Sequence, residues 1–159
     1  MKPIPFYKMS GSGNDFIIID NREALVPDAQ LAQLIVGACR RKLSVGADGL
    51  ILIESSASVD FKWRFFNADG SMAEMCGNGA RCAARFAYLS GIAGRRMAFE
   101  TLAGTIFADV QEPAVKIRMT DPEQMNAGFD LDLDGERVRV GRINTGVPHV
   151  VMTVADLDD

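Results

Sequence analysis

The segment from Asn78 to Leu89 constrains this chain more than any other. Ala80, Cys82, Ala83, Ala84, Phe86, Ala87 and Leu89 recur at helical spacing over more than half of its circumference, and only Arg81 and Arg85 break the apolar surface in its middle. A helix that is apolar nearly all round has to be buried on nearly all sides. Gly91, just beyond it, is expected to act as its C-cap. Whatever this chain folds into must enclose that helix.

The partners available are mostly strands. Ile4 to Met9 reads as a short strand, followed by SGSGND and the apolar run FIIID, which reads as a buried strand ending at Asp20. Leu50 to Ile53 is a second buried strand. In DFKWRFFN, Asp60 to Asn67, the residues Phe61, Trp63 and Phe65 alternate with Lys62 and Arg64, a strand's period of two. Shorter strands are expected over Met97 to Thr101, Thr105 to Val110 and Val115 to Met119. Asp134-Gly135, between LDL and RVRV, signals a two-residue hairpin. One other helix is expected after Pro27, capped by the Asp28 carboxylate. Its apolar face is Leu31, Leu34, Ile35 and Ala38, and Arg40, Arg41 and Lys42 stand at the negative pole of its dipole. The pattern is α+β, a mixed, curved sheet wrapped around a central buried helix. TDPEQMNAG, residues 120–128, is rich in turn formers and is the expected boundary between residues 1–119 and 120–159.

Composition narrows the function. The 159 residues carry a net charge of −4, with 48% apolar residues. A mildly acidic chain with only short basic runs is a poor partner for nucleic acid, which requires clustered Lys and Arg. No run of 18 apolar residues occurs, and the start, MKPIPFYKMSG, lacks a signal peptide's apolar core; a cytoplasmic location is the default expectation. The three cysteines, Cys39, Cys76 and Cys82, are an odd number, and with one histidine, His149, and no Cys-x-x-Cys pair they suggest free thiols rather than disulfides or zinc. The Gly-x-Gly of SGSGND is not a dinucleotide fingerprint, because Phe16 stands where a third small residue is needed and a strand-like run follows.

Chemistry is concentrated in FNADGSMAEMCGNGARCAARF, Phe66 to Phe86. Cys76 precedes the turn Gly77-Asn78-Gly79 that opens the buried helix. A thiol there sits among unpaired backbone N–H groups at the positive end of the helix dipole, a setting that favours thiolate. The same amides make a site for a carboxylate, and the glycines let a ligand approach the backbone. One turn could therefore hold an amino-acid carboxylate and set a reactive sulfur beside its Cα. The plainer reading is that Cys76 is a small buried hydrophobe. The residues alone leave both open.

This segment resembles the first active-site signature of the diaminopimelate epimerase family. Four other blocks resemble that family in the same order: KMSGSGNDFIIID (Lys8 to Asp20), CRRKLSVGADGLI (Cys39 to Ile51), ETLAG (Glu100 to Gly104) and NTGVPHVV (Asn144 to Val151). The resemblance implies a lobe of a normally duplicated fold. It implies an isomerase that interconverts LL- and meso-diaminopimelate for lysine and cell-wall synthesis, with no pyridoxal phosphate and no metal. Two cysteines, one from each lobe, would work on opposite faces of the substrate. On that resemblance Cys76 is the first-lobe acid/base. Gly77 and Asn78 hold the reacting end of the substrate, and Asn14 and Asn67 bind substrate. His149 is either a structural histidine at a strand start or, by the family's Pro-His step, a residue near the substrate's amino end. Val147 stands where many members have Asn. Cys39 and Cys82 are expected to be structural. The family's second lobe carries a Glu-Arg pair together with a cysteine in a Gly/Thr-rich turn; that pair of motifs does not occur in these residues, and no cysteine follows Cys82. The chain is therefore expected to be a first lobe, 1–119, plus the opening of a second, 120–159, and inactive by itself. A homodimer is in keeping with the family. Competing readings are a proline or hydroxyproline racemase-type isomerase, which resembles MCGHG where this chain has Asn78, and a non-catalytic single-lobed binding protein.

Overall fold

The computed structural model describes residues 3–156; the end of the closing run ADLDD, residues 157–159, lies outside them. The chain divides into two compact units, Met1–Met119 and Thr120–Asp159.

In the first unit β1 (Tyr7–Gly11) and β2 (Asn14–Asp20) form an antiparallel hairpin, and α1 (Asp28–Cys39) crosses over to β3 (Gly49–Glu54), which lies parallel to β2. Next come β4 (Phe61–Asn67), the two-residue β5 (Met72–Ala73), α2 (Gly77–Leu89), β6 (Arg96–Thr101), β7 (Gly104–Gln111) and β8 (Ala114–Arg118). The sheet runs β1-β2-β3-β4-β6-β7-β8, with β5 paired to β4. Pairings β2–β3 and β4–β6 are parallel and the rest antiparallel. Helix α2 packs against β1, β2 and β3 and also against β7 and β8. One helix can touch both margins of a sheet only if the sheet curls around it. The result is a mixed, strongly curled half-barrel with α2 along its inside, the α+β architecture expected.

Both faces of β2 and β3 are buried, so their sequences are continuously apolar rather than alternating. Ile17, Ile19, Leu50 and Leu52 pack with Leu31, Ile35 and Cys39 of α1 on one side of the sheet. On the other side Phe16, Ile51 and Trp63 meet Gly79 of α2, where a β-carbon would stand 3.4 Å from each. The α2 residues Gly79, Ala80, Cys82, Ala83, Ala84, Phe86 and Ala87 are buried, whereas Leu89, expected inside, is exposed in the last turn.

Several boundaries differ from the sequence reading, each for a local reason. β1 begins at Tyr7 rather than Ile4, beyond Pro5, which has no N–H to give a ladder. SGSGND carries the turn of the first hairpin. Gly11 pairs with Asn14, and only Ser12 (φ 52°) and Gly13 (φ 86°) turn, a two-residue hairpin of type I′. Pro27, extended at φ −67° and ψ 140°, occupies the N-cap of α1, and no side chain caps it. Asp28 is instead the first helical residue and accepts a hydrogen bond from Arg64 at 2.8 Å. The last turn of α1 holds no basic residue; Arg40 to Lys42 follow it. α2 is capped by Ser90, and Gly91, one residue on, takes φ 67°. Its N–H bonds the Tyr88 carbonyl at 3.1 Å and that of Ile92 bonds Ala87 at 2.8 Å, a Schellman ending.

The second unit is a sheet ordered β11-β10-β9, from β9 (Glu123–Leu133), β10 (Glu136–Asn144) and β11 (Pro148–Met152). Asp134 (φ 53°) and Gly135 (φ 91°) make the expected turn. Most of 120–128, read as a turn-rich boundary, is strand: β9 starts at Glu123 because its backbone pairs along β10, which outweighs its weak strand propensity.

Two glycines allow a direct test of this packing. A β-carbon at Gly49 would stand 2.6 Å from both the Phe65 ring and the Phe66 carbonyl oxygen. Gly49→Ala is expected to lower stability by about 1–3 kcal/mol in urea denaturation. Gly37→Ala, in α1 with nothing within 4 Å of the added carbon, is expected to raise it by up to about 1 kcal/mol.

Candidate active site

The site is built where α2 begins. Cys76 is its N-cap, extended at φ −148° and ψ 116°, and its Sγ accepts the Gly79 N–H at 3.5 Å. The first intrahelical bond runs from Ala80 N–H to the Cys76 carbonyl at 2.8 Å. Gly77 and Asn78, the first two residues of α2, therefore have N–H groups with no partner one turn back, and these groups face the end where the thiol sits. Cys76 is half-buried, whereas Cys39 and Cys82 are buried. Burial pushes the Cys82 thiol up to about 11, against a smaller opposing pull from Arg81. Burial first, and the Asp48 carboxylate second, raise Cys39. These two thiols are held neutral by their surroundings.

Around this turn the hairpin and the sheet end bring further groups. Asn78 Nδ2 donates to Asn14 Oδ1 at 2.5 Å, so two of the asparagines expected from sequence touch. Asn14 Nδ2 donates to Asp48 Oδ2 at 3.3 Å, and the Asp15 N–H reaches the same oxygen at 2.9 Å. Arg41 spans two carboxylates, donating to Asp48 Oδ1 at 2.7 Å and Asp15 Oδ2 at 3.0 Å. On the other side Arg81 donates to Asn78 Oδ1 and, at 3.2 Å, to Ser12 Oγ. The backbone N–H of Asp15 beside it and the Arg41 guanidinium hold Asp48 below the usual carboxylate range. Arg41, then Lys8, do the same for Asp15 against the opposing effect of burial.

Asn67 does not join that chain of contacts. It ends β4 on the edge of the sheet where β2 and β3 begin, since Gly49 pairs with both Phe16 and Asn67. Its Nδ2 donates to Ser71 Oγ at 3.0 Å, and Ser71 in turn donates to Asp69 at 2.6 Å. His149 lies in β11 of the second unit, exposed, with Nδ1 at 2.6 Å from the Val147 carbonyl oxygen. Asp48, Arg41, Arg81 and Ser12 are the polar residues the sequence reading passed over. Asp48 stood within the quoted GADG step, and Arg81 had been marked only as a break in an apolar surface.

A mixed, strongly curled half-barrel around one enclosed helix is the fold this chain shares with solved racemases and epimerases. A hydroxyproline epimerase from Agrobacterium vitis shares the fold with a TM-score of 0.73 at 12% identity, over 97% of this chain and 52% of that one. The sequence model of diaminopimelate epimerase matches residues 6–125, and the chain belongs to the diaminopimelate epimerase family. Curated diaminopimelate epimerases from Aquifex aeolicus (48% identical, 96% of this chain) and Archaeoglobus fulgidus (40% identical, 98% of this chain) are among its relatives. The chain spans 58% and 60% of their respective lengths. No helix among the described residues is long and apolar enough to cross a membrane.

Two expectations follow from this geometry. Iodoacetamide near neutral pH should label Cys76 first, read by peptide mass spectrometry, with Cys82 and Cys39 reacting only on unfolding; equal labelling of all three would contradict it. Asp48 and Asp15 have folded-state pKa values below their unfolded ones. Their stabilising contribution is therefore complete above the ordinary value of about 3.9 and is lost as pH falls through the depressed values. Acid titration should show the loss of stability beginning below about 3.9, and Asp48→Asn should remove part of it.

Proposed function

We propose that this chain supplies the Cys76 side of a two-thiol proton-transfer site that interconverts LL- and meso-diaminopimelate without pyridoxal phosphate or metal. The observation that carries the reading is the Cys76 Sγ, seated on the Gly79 N–H at the mouth of α2 and flanked by Asn78 and its partner Asn14.

In this reading the substrate's α-carboxylate lies on the Gly77 and Asn78 N–H groups, an anion at a helix N-terminus. The Cys76 thiolate takes the α-hydrogen as a proton, forming S–H. The electron pair left on Cα spreads into the carboxylate, whose added charge the amides stabilise. A second thiol on the opposite face gives its proton to Cα and is left as thiolate, so the centre is inverted and the two sulfurs exchange states. Asn14 belongs to the same cluster, and Asn67, whose Oδ1 is left open by the Ser71 contact, binds substrate from the sheet end. Asparagine suits a zwitterion because it offers donor and acceptor without charge. A cytoplasmic location, a role in lysine and peptidoglycan precursor synthesis and a homodimer belong to the same reading. The proline racemase-type alternative is supported by likeness of fold alone, and Asn78 stands where that group resembles His.

The test is covalent trapping. An aziridine analogue of diaminopimelate should alkylate Cys76 and spare Cys39 and Cys82; indiscriminate labelling, or labelling not suppressed by diaminopimelate, would contradict the assignment. Because these residues hold one half-buried thiol, the 159-residue chain by itself should invert diaminopimelate about 10²–10⁴-fold more slowly than a protein holding both thiols. Inversion at the full rate would contradict the two-thiol scheme.

A further inference from the structure

We infer that Asp48 is a positioning residue for the Cys76 site, acting through the side-chain amide of Asn14 to fix which face of the Asn78 amide is turned toward the substrate. This rests on the epimerase reading above.

The two ends of an asparagine amide have nearly the same shape and opposite hydrogen-bonding character, so their partners decide which end points where. An ionised carboxylate can only accept. Asp48 Oδ2, 3.3 Å from Asn14 Nδ2, therefore obliges Asn14 to turn its nitrogen toward β3 and its oxygen toward α2. That oxygen can only accept, and Asn78 answers with Nδ2 at 2.5 Å. The Asn78 oxygen is then turned to the Arg81 guanidinium, which can only donate. The relay runs Arg41, Asp48, Asn14, Asn78, Arg81, with a guanidinium at each end and every donor facing an acceptor. It leaves Asn78 one free N–H, a donor suited to a carboxylate gaining charge. Without the carboxylate at 48, Asn14 could reverse and turn its own nitrogen against Asn78 Nδ2, leaving the Asn78 amide held by Arg81 alone.

Asp48 is held for this task from several sides. Arg41 grips Oδ1 at 2.7 Å and the Asp15 N–H grips Oδ2 at 2.9 Å. Its backbone also links three elements. The Asp48 N–H bonds the Asp15 carbonyl at 2.9 Å, and the Asp48 carbonyl accepts from Ala68 at 3.1 Å, just past Asn67. These backbone links survive a change of side chain, so Asp48→Asn keeps the sheet end while removing the obligatory acceptor.

Two readouts test the inference. In the ¹⁵N-labelled chain, Asp48→Asn should shift the side-chain amide signals of Asn14 and also those of Asn78, which Asp48 does not touch. Movement of Asn14 alone would overturn the relay. In the enzyme that carries these residues together with a second thiol, Asp48→Asn should lower kcat by about 10- to 100-fold with KM changed by no more than about threefold. Arg41→Met, which leaves the carboxylate but loosens it, should act in the same direction and less, and it keeps the test open if Asp48→Asn folds poorly. Cys76→Ala is measured alongside. If it abolishes turnover while Asp48→Asn and Arg41→Met stay within about twofold of the parent, the positioning role is wrong and the epimerase reading stands. If Cys76→Ala retains turnover, the reading fails and the positioning role fails with it.

Discussion

Where Gly11 of β1 meets the first turn of α2, a β-carbon would stand 2.9 Å from Cys82 Sγ and 3.0 Å from the Asn78 carbonyl oxygen. On the opposite side Gly79 rests against Phe16, Ile51 and Trp63. The start of the helix is thus gripped between the hairpin and the sheet floor. Its small residues let it sit deep inside the curl, and the curl exists because the sheet must cover an all-round apolar helix. The cap residue inherits that rigidity. Cys76 is set by the same packing that buries Ala80, Ala83 and Ala84, so the stability of the core and the placement of the thiol are one problem.

Two guanidinium groups bracket the polar cluster at the head of the helix. Arg41 and Arg81 lie at the two ends of a hydrogen-bonded chain through Asp48, Asn14 and Asn78, and Cys76 Sγ itself accepts a backbone N–H. Cys39 and Cys82 show the contrast. Both are buried, and burial keeps both as thiols.

Much of this was legible in the residues. The buried helix, the two-faced burial of FIIID and LILI, and the Asp134-Gly135 turn follow from periodicity and turn chemistry, which act locally. What escaped was set by neighbours distant in sequence. Arg41 looked like a helix-end charge until the fold brought Asp15 to it, and Asp28 looked like a cap until Pro27 took that position and Arg64 took the carboxylate. β9 has weak strand propensity and forms because β10 offers it a ladder. The pairing of Asn14 with Asn78 joins residues on different elements, and no spacing rule foretells it. The thiol itself was visible, because a cysteine before Gly-Asn-Gly at the head of a helix has a physical meaning of its own; its substrate came from resemblance.

The central claim is that Cys76 moves the α-proton, and solvent isotope exchange tests it most directly. LL-diaminopimelate in D₂O should acquire deuterium at Cα in the presence of the complete enzyme, followed by proton NMR, and Cys76→Ala should abolish that exchange at the inverted centre while Cys82→Ala leaves it in place. Exchange that persists at the parent rate in Cys76→Ala would show that another group takes the proton and would contradict the account.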